Sequence, residues 1–228
     1  MPKLKWDQPG QHFYENGICE VALFVMDSKT SQYGAGNAWD GVTNVTVTPE
    51  GAEPTNLYAN NRKYLTMLSA ENVNASIECY TFPDEFYDCL GMYEMLPGMR
   101  VAQQAHKTFA LCFKTGIGSD ANPNLGFKFH VLYSCVASPS EKAYNTINED
   151  PEAMTLSFEL STTPVEAGVE GFNAFSYLEF KSTDYVDAEG KMDAKFQAVL
   201  DAFYGADGEE AVSKLLLPNE IYAMLKGE

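Results

Sequence analysis

Between residues 41 and 80, two runs of alternating apolar and polar residues flank a loop rich in Pro, Gly, Asn and Glu. In residues 43–48 and 73–80 the side chains alternate with a repeat of two, which is typical of a half-buried β-strand. The polar face of these runs carries one full charge, whereas a strand that only faces water usually has more Lys and Glu. We therefore expect this face to meet something other than bulk water. Its members are Asn44, Thr46, Thr48, Asn74, Ser76 and Glu78.

Similar patterns predict further strands along most of the chain. Apolar or alternating runs of strand length occupy residues 18–26, 109–115, 127–136, 154–163 and 172–180. Turn residues and polar loops separate these runs, as expected between neighbouring strands. The first three quarters of the chain is therefore predicted to be rich in β-structure.

Two regions have the signature of helices. Pro83, followed by acidic residues, predicts a short helix over residues 83–90. From Met192 onward the repeat becomes helical, with an apolar stripe formed by Phe196, Val199, Leu200 and Phe203. This order of elements predicts a mainly β fold, a β-sandwich or barrel with one flanking α-helix and a C-terminal helical extension. We expect residues 1–190 to form the β-rich domain and residues 191–228 to pack on it.

The chain is strongly acidic, with 32 Asp and Glu against 15 Lys and Arg and a net charge of −17 over 228 residues. Binding of nucleic acid needs clustered cations, so the bulk surface is expected to repel DNA or RNA. The simpler interpretation is that acidity keeps the protein in solution. No apolar run approaches the roughly 20 residues of a membrane span, and no apolar block follows the N-terminal lysines as in a secretion signal.

A search for catalytic chemistry finds no convincing group. The three histidines, His12, His106 and His130, are far apart and lack the spacing of metal ligands. The five cysteines form no CxxC pair, which favours reduced, structural thiols. The chain also lacks nucleophile elbows, zinc-binding helices and phosphate loops. We therefore predict that it is not an enzyme and needs no cofactor or metal.

The segment from residue 27 to residue 40 is predicted to be a long loop. It contains two glycines and two large aromatic residues, Tyr33 and Trp39. Loops of this length are often functional, and aromatic side chains are enriched at contact surfaces. We therefore take Tyr33 and Trp39 as candidate contacts with another subunit.

Several segments, in order, resemble the major tail protein, or tail tube protein, of long-tailed phages that infect Gram-positive bacteria. The resemblance begins with TPEGAEPTNLYANNRKY at residues 48–64 and ECYTFPDEFYDCLG at residues 78–91. It continues with FALCFKTGIGSD, ASPSEKAYNTINEDPEA and STTPVEA at residues 109–120, 137–153 and 161–167. The C-terminal pattern FQAVLDAFYG…LLLPNEI, residues 196–221, is also similar. Together these segments cover nearly the whole chain.

The resemblance implies a structural virion protein. Six copies would form a ring around an inner β-barrel, and stacked rings would form the tail tube that conducts DNA from the capsid to the host. The implied partners are further copies of the chain and the tape measure, terminator and distal tail proteins, with assembly in the host cytoplasm. Within this picture the polar face becomes the candidate wall of the lumen. The loop residues Leu57, Tyr58 and Tyr64 join the candidate subunit contacts.

A second interpretation is a β-rich receptor- or carbohydrate-binding module of a phage tail tip. In that case Tyr33, Trp39 and Tyr58 would together form a stacking platform for a sugar. An enzyme is the third and most distant alternative.

Overall fold

The computed structural model describes residues 3–144, 146, 153–187, 189–206 and 212–227. Twelve strands precede the two longer helices in these residues. The strands are β1 Phe13–Met26, β2 Tyr33–Ala38, β3 Val42–Glu50, β4 Pro54–Ala59, β5 Arg62–Leu68, β6 Asn72–Cys79, β7 Tyr93–Leu96, β8 Met99–Val101, β9 Phe109–Ser119, β10 Gly126–Ala137, β11 Leu156–Thr162 and β12 Tyr177–Lys181. The α-helices are α1 Phe86–Cys89, α2 Ala194–Tyr204 and α3 Pro218–Lys226. The prediction of a mainly β fold is confirmed.

Eight strands form one antiparallel sheet that rolls up on itself. Its order is β2-β1-β9-β10-β11-β6-β3, with β12 joined to β10. The two end strands, β2 and β3, follow each other in the chain, because β2 ends at Ala38 and β3 begins at Val42. A corner this short brings the two ends of the sheet near each other, so the sheet curls into a barrel-like roll whose described end strands are not paired with each other.

The interior of the roll is one hydrophobic core. Alternate residues of six strands point into it. Phe86 and Cys89 of α1 pack against these residues and belong to the same core. The Phe86 ring lies among four others, with its centroid 4.5 Å from Trp39, 5.5 Å from Phe82, 5.4 Å from Phe109 and 5.2 Å from Phe158. Burial of this many aromatic rings supplies much of the hydrophobic stabilisation of the fold.

A second core lies outside the roll, between the sheet and the C-terminal helices. The predicted stripe of α2 is fully or nearly fully buried there, against β1, β9, β10 and β12. The helix starts at Asp193, whose carboxylate accepts hydrogen bonds from the amides of Lys195 and Phe196 at 2.7 and 3.3 Å. Ile221 of α3 belongs to the same core. The C-terminal helices therefore cover one outer side of the roll and leave the side of β11, β6 and β3 uncovered.

The predictions differ from the structure in two segments that were expected to be loops. The segment 27–40 contains β2, which pairs with β1 from Ala22↔Ala38 onward. The loop between β3 and β6 contains a separate hairpin, β4–β5. Its two-residue turn is formed by Asn60 and Asn61, with φ of 51° and 57°. Asparagine tolerates this left-handed geometry, so the Asn-Asn pair was a hairpin signal in the sequence.

Candidate functional site

The predicted polar face forms a continuous patch. Strands β3 and β6 are antiparallel neighbours, and the six predicted residues face each other directly as Asn44↔Glu78, Thr46↔Ser76 and Thr48↔Asn74. All of them are exposed or half-buried. Directly paired side chains on one face lie about 5 Å apart, so the six make one surface.

A third strand, which the sequence argument did not include, extends this patch. Strand β11 pairs with the other edge of β6, and Ser157, Glu159 and Ser161 lie opposite Glu78, Ser76 and Asn74. All three β11 residues are exposed. The clean alternation of residues 154–163 was the available signal, but only the strand order shows that β11 adjoins β6. We call the nine paired residues of β3, β6 and β11 the polar face.

The polar face carries few charged residues, and all of them are negative. Neither Lys nor Arg occurs in β3, β6 or β11. Its charged members are Glu78 and Glu159, and neither has an ion-pair partner in the described part of the chain. The remaining side chains are hydroxyls and amides. Such a surface is wetted by water but offers no cation to a phosphate group.

The β4–β5 hairpin carries three of the five predicted contact residues. Every residue of both strands is exposed, and the hairpin forms a two-stranded sheet of its own. Tyr58 and Tyr64 are 71% and 76% exposed, and Leu57 is exposed beside them. The apolar side chains of this hairpin lack the covering layer that a sheet usually has. A two-stranded hairpin without such a layer is only marginally stable in water.

The other two predicted contact residues belong to the interior of the subunit. Trp39 is 3% exposed and lies in the core of the roll, at the corner between β2 and β3. Tyr33 is half-buried and packs against the second core, where its hydroxyl accepts a 3.2 Å hydrogen bond from the amide of Ser134. The prediction of an exposed contact is therefore wrong for Trp39, whereas for the half-buried Tyr33 it stays a prediction. An aromatic-containing loop was expected, but a short strand and a tight corner turn these rings inward.

A second exposed hairpin, β7–β8, was not predicted as a contact. Met95, Leu96 and Met99 are exposed around its turn. The sequence signal was the Pro97-Gly98 turn between two apolar residues, within a segment expected to be only a connector. This hairpin adds a further patch of uncovered apolar surface.

The most buried ionisable group outside the cysteines and tyrosines is His130. Its Nε2 lies 2.8 Å from the Thr115 hydroxyl, and its Nδ1 lies 2.7 Å from the Tyr177 hydroxyl. Each hydroxyl also lies within hydrogen-bond distance of a carboxylate, Thr115 of Glu15 at 2.5 Å and Tyr177 of Glu179 at 3.1 Å. A neutral His130 has one ring N–H, so it donates to one of the two hydroxyls and accepts from the other. Burial lowers the pKa of His130 below its usual 6.5, against the opposing effect of the two carboxylates.

A lysine completes this cluster. The Lys128 ammonium bridges Glu15 at 2.7 Å and Glu179 at 3.0 Å. The hydrogen bond to Glu15 helps to raise the pKa of Lys128 above its usual value. The cluster ties the start of β1 to β10 and β12, and His130 stacks on Phe113 with ring centroids 4.6 Å apart. His130 is thus enclosed by side chains, as a structural histidine is.

No group of His, Cys, Asp and Glu in the described residues has an arrangement that would hold a metal ion. Every helix within the described ranges is too short or too polar to cross a membrane. No protein-family model matches the chain, and no curated protein matches it either.

Proposed function

We propose that the chain is the structural subunit of a phage tail tube. In this proposal six copies form a ring, rings stack into a tube in the host cytoplasm, and the tube conducts DNA from the virion to the host cell. The observation that carries the proposal is the exposed β4–β5 hairpin, an arm with apolar side chains and no covering within the described part of its own subunit.

The hairpin supports assembly for an energetic reason. Burial of apolar surface contributes about 25 cal/mol per Å², and large aromatic side chains such as Tyr58 and Tyr64 bury up to roughly 150–250 Å² each. Docking of the hairpin on a neighbouring copy would therefore stabilise a ring substantially. The apolar tip of β7–β8 offers a second contact of the same kind.

The open edge of the sheet supports repeated addition of copies. Among the described residues, strand β3 ends the strand order and pairs with β6 alone. An unpaired edge can accept a strand of a neighbouring copy, which would also protect it from nonspecific pairing. Head-to-tail contacts of this kind close into rings or continue as filaments.

The polar face supports a role as the wall of the lumen. In the described part of the chain, strand β11 pairs with β10 only through Leu160, Ser161 and Thr162, so the first half of its outer edge could meet β3 of the next copy. Three strands from each of six copies, spaced about 4.8 Å apart and tilted by about 40°, would then surround a channel as an eighteen-stranded barrel roughly 36 Å across at the backbone. Such a barrel is wide enough for a DNA duplex. A wall without cations does not hold phosphate, and the carboxylates of Glu78 and Glu159 would repel it.

The binding-module alternative loses the platform on which it depended. Trp39 is buried in the roll and Tyr33 faces the other core, whereas Tyr58 lies on the separate hairpin. The three rings therefore do not form one exposed surface.

The proposed contacts with tape measure, terminator and distal tail proteins rest on the sequence resemblance.

Negative-stain microscopy of the concentrated protein tests the proposal. We expect rings or tubes of uniform diameter, with a central channel. A protein that stays monomeric under every assembly condition, and that is absent from purified virions, would overturn the proposal.

A further inference from the structure

A notch opens where the rolled sheet does not quite close. Its volume is about 520 Å³, and its walls are the middle of β1, the corner between β2 and β3, the end of α2 at Phe203 and Tyr204, and Ser213. Pairing between β1 and β2 stops near Val21, whose carbonyl accepts a 2.8 Å hydrogen bond from the amide of Trp39. Before that point, the β2-side edge of β1 has no strand partner in the described residues, and the Glu20 carbonyl oxygen accepts a 2.8 Å hydrogen bond from the Tyr204 hydroxyl of α2.

The notch combines an apolar floor with an acidic rim. Ile18, Val21 and Val42 supply apolar lining, and Glu20 and Asp40 supply the carboxylates. Glu20 forms an ion pair of 2.5 Å with Lys114, but its side chain remains more than half exposed. Asp40 is exposed and has no ion-pair partner within the described ranges. The notch therefore suits a short extended segment that has one apolar and one basic face.

The N-terminal arm has this character. Residues 3–6 read Lys-Leu-Lys-Trp, so an extended arm presents the two lysines on one face and Leu4 and Trp6 on the other. Leu4 and Trp6 are 72% and 69% exposed. Neither lysine has an ion-pair partner in the part of the chain that the structure describes. This small basic segment is unusual in a chain with a net charge of −17.

We propose that the notch of one copy receives residues 3–6 of a second copy as an extended segment. Leu4 and Trp6 pack on the apolar floor, and Lys3 and Lys5 approach Asp40 and Glu20. The inference rests on the proposed function, because it names two segments that join copies within the tube.

The geometry of the arm favours a second copy over the arm's own notch. The Asp120 carboxylate accepts a hydrogen bond from the Gly10 amide at 2.9 Å and contacts His12 Nδ1 at 3.1 Å, which fixes the root of the arm. This root precedes Phe13, the first residue of β1. Phe13 is itself six residues, or roughly 20 Å, before Cys19 in the notch. None of the arm residues from Lys3 onward lines its own notch.

Cysteine cross-linking tests the inference, because Cys19 lines the notch and is exposed while the other four cysteines are buried. In the Lys5→Cys variant, mild oxidation of concentrated protein is expected to join the new thiol to Cys19 of another chain. The product is a ladder of covalent oligomers on a denaturing gel. The ladder is expected to disappear when Cys19→Ser is added, and a matched Lys29→Cys variant, on the β1–β2 turn, is expected to give none.

Charge substitutions provide a second readout in the same background. Adding Lys3→Glu to Lys5→Cys is expected to reduce the yield of the ladder, and adding Asp40→Lys as well is expected to restore it. A yield of cross-linked oligomers that both substitutions leave unchanged would overturn the ionic part of the proposal. A link within one chain, seen as an unchanged mass with altered mobility, would show that the arm fills its own notch and would overturn the proposal.

Microscopy of the same samples separates the two proposals. Tubes without the link between position 5 and Cys19 would overturn the arm inference alone. Linked chains without rings or tubes would support the arm and count against the tail tube. Neither tubes nor links would overturn both, and an equal ladder from the Lys29→Cys control would show random collision and overturn the arm inference.

Discussion

The indole Nε1 of Trp39 donates a hydrogen bond of 2.8 Å to the carbonyl oxygen of Thr81. This bond joins the corner between β2 and β3 to the segment that follows β6. The ring centroid of Trp39 lies 4.5 Å from that of Phe86, which belongs to α1 and is buried in the core of the roll. Trp39 thus fastens together three parts of the chain where the ends of the sheet meet.

This arrangement predicts that Trp39→Ala destabilises the isolated subunit. A cavity in the core and an unpaired Thr81 carbonyl are expected to reduce the free energy of unfolding by about 3–5 kcal/mol. Urea unfolding followed by circular dichroism measures the change. The exposed Trp6 provides a matched control, and Trp6→Ala is expected to alter stability by less than about 0.5 kcal/mol. Equal stabilities of the two variants would show that Trp39 is not a core residue.

For the exposed β4–β5 hairpin, we expect substitutions to impair assembly while leaving the stability of the subunit unchanged, in contrast to Trp39→Ala. Replacing both Tyr58 and Tyr64 with Ser is expected to leave the melting temperature of the monomer nearly unchanged, because both rings face solvent there. The same double variant is expected to lose most ring or tube formation in light scattering and microscopy. Tyr144→Ser removes another exposed ring as a control and is expected to assemble normally. Full assembly of the double variant would remove the hairpin from the interface.

The polar face predicts sensitivity to positive charge. Glu78→Lys and Thr46→Lys place an ammonium group on the proposed wall, where it would bind passing phosphate groups. Virions built with either variant are expected to eject DNA more slowly, and the delay is expected to shrink as salt is raised. Ala198→Lys, on the exposed side of α2, adds the same charge elsewhere and is expected to be neutral. Normal ejection by both face variants would place the lumen elsewhere.

The buried histidine predicts a pH-dependent stability. Burial holds the pKa of His130 below 6.5 in the folded chain, so the unfolded chain binds the proton more readily. Stability from this site is therefore complete above pH 6.5 and decreases as the pH falls from 6.5 through the lowered folded value. The groups that face His130 are Thr115, Tyr177, Glu15, Glu179 and Lys128. The pKa of Glu15 is lowered and the pKa values of Lys128 and Tyr177 are raised, so these three groups keep their charge between pH 8 and 5.5.

Urea unfolding at pH 8 and pH 5.5 measures this effect. The wild-type protein is expected to lose stability at the lower pH, and His130→Gln is expected to reduce that loss. His12→Gln changes a more exposed histidine outside this cluster and serves as the comparison variant. The same dependence in His130→Gln would show that the site does not couple folding to protonation.

The sequence predicted strands well where only one face of each strand is buried. In β6 and β11 the alternation is clean, because one side packs in the roll and the other is polar. It predicted α2 equally well, since an amphipathic helix on a sheet shows its buried stripe directly. The polar face of β3 and β6 could also be found, because their antiparallel pairing preserves the alternation of each strand.

The sequence did not predict features that depend on distant parts of the chain. The neighbour of β6 on its far side is β11, which lies nearly 80 residues away, and alternation does not reveal strand order. The burial of Trp39 depends on a corner that closes the roll, and an aromatic residue near glycines looks the same in an exposed loop. The β4–β5 hairpin was missed because it has no buried face and therefore little apolar alternation.

A reconstruction of the assembled protein by electron cryomicroscopy tests the central proposal most directly. The proposal predicts a hollow tube of stacked six-membered rings, with the polar face of β3, β6 and β11 toward the channel and the β4–β5 hairpin against a neighbouring copy. A tube with the polar face on its outer surface, or a protein that forms no ring at any concentration, would contradict it.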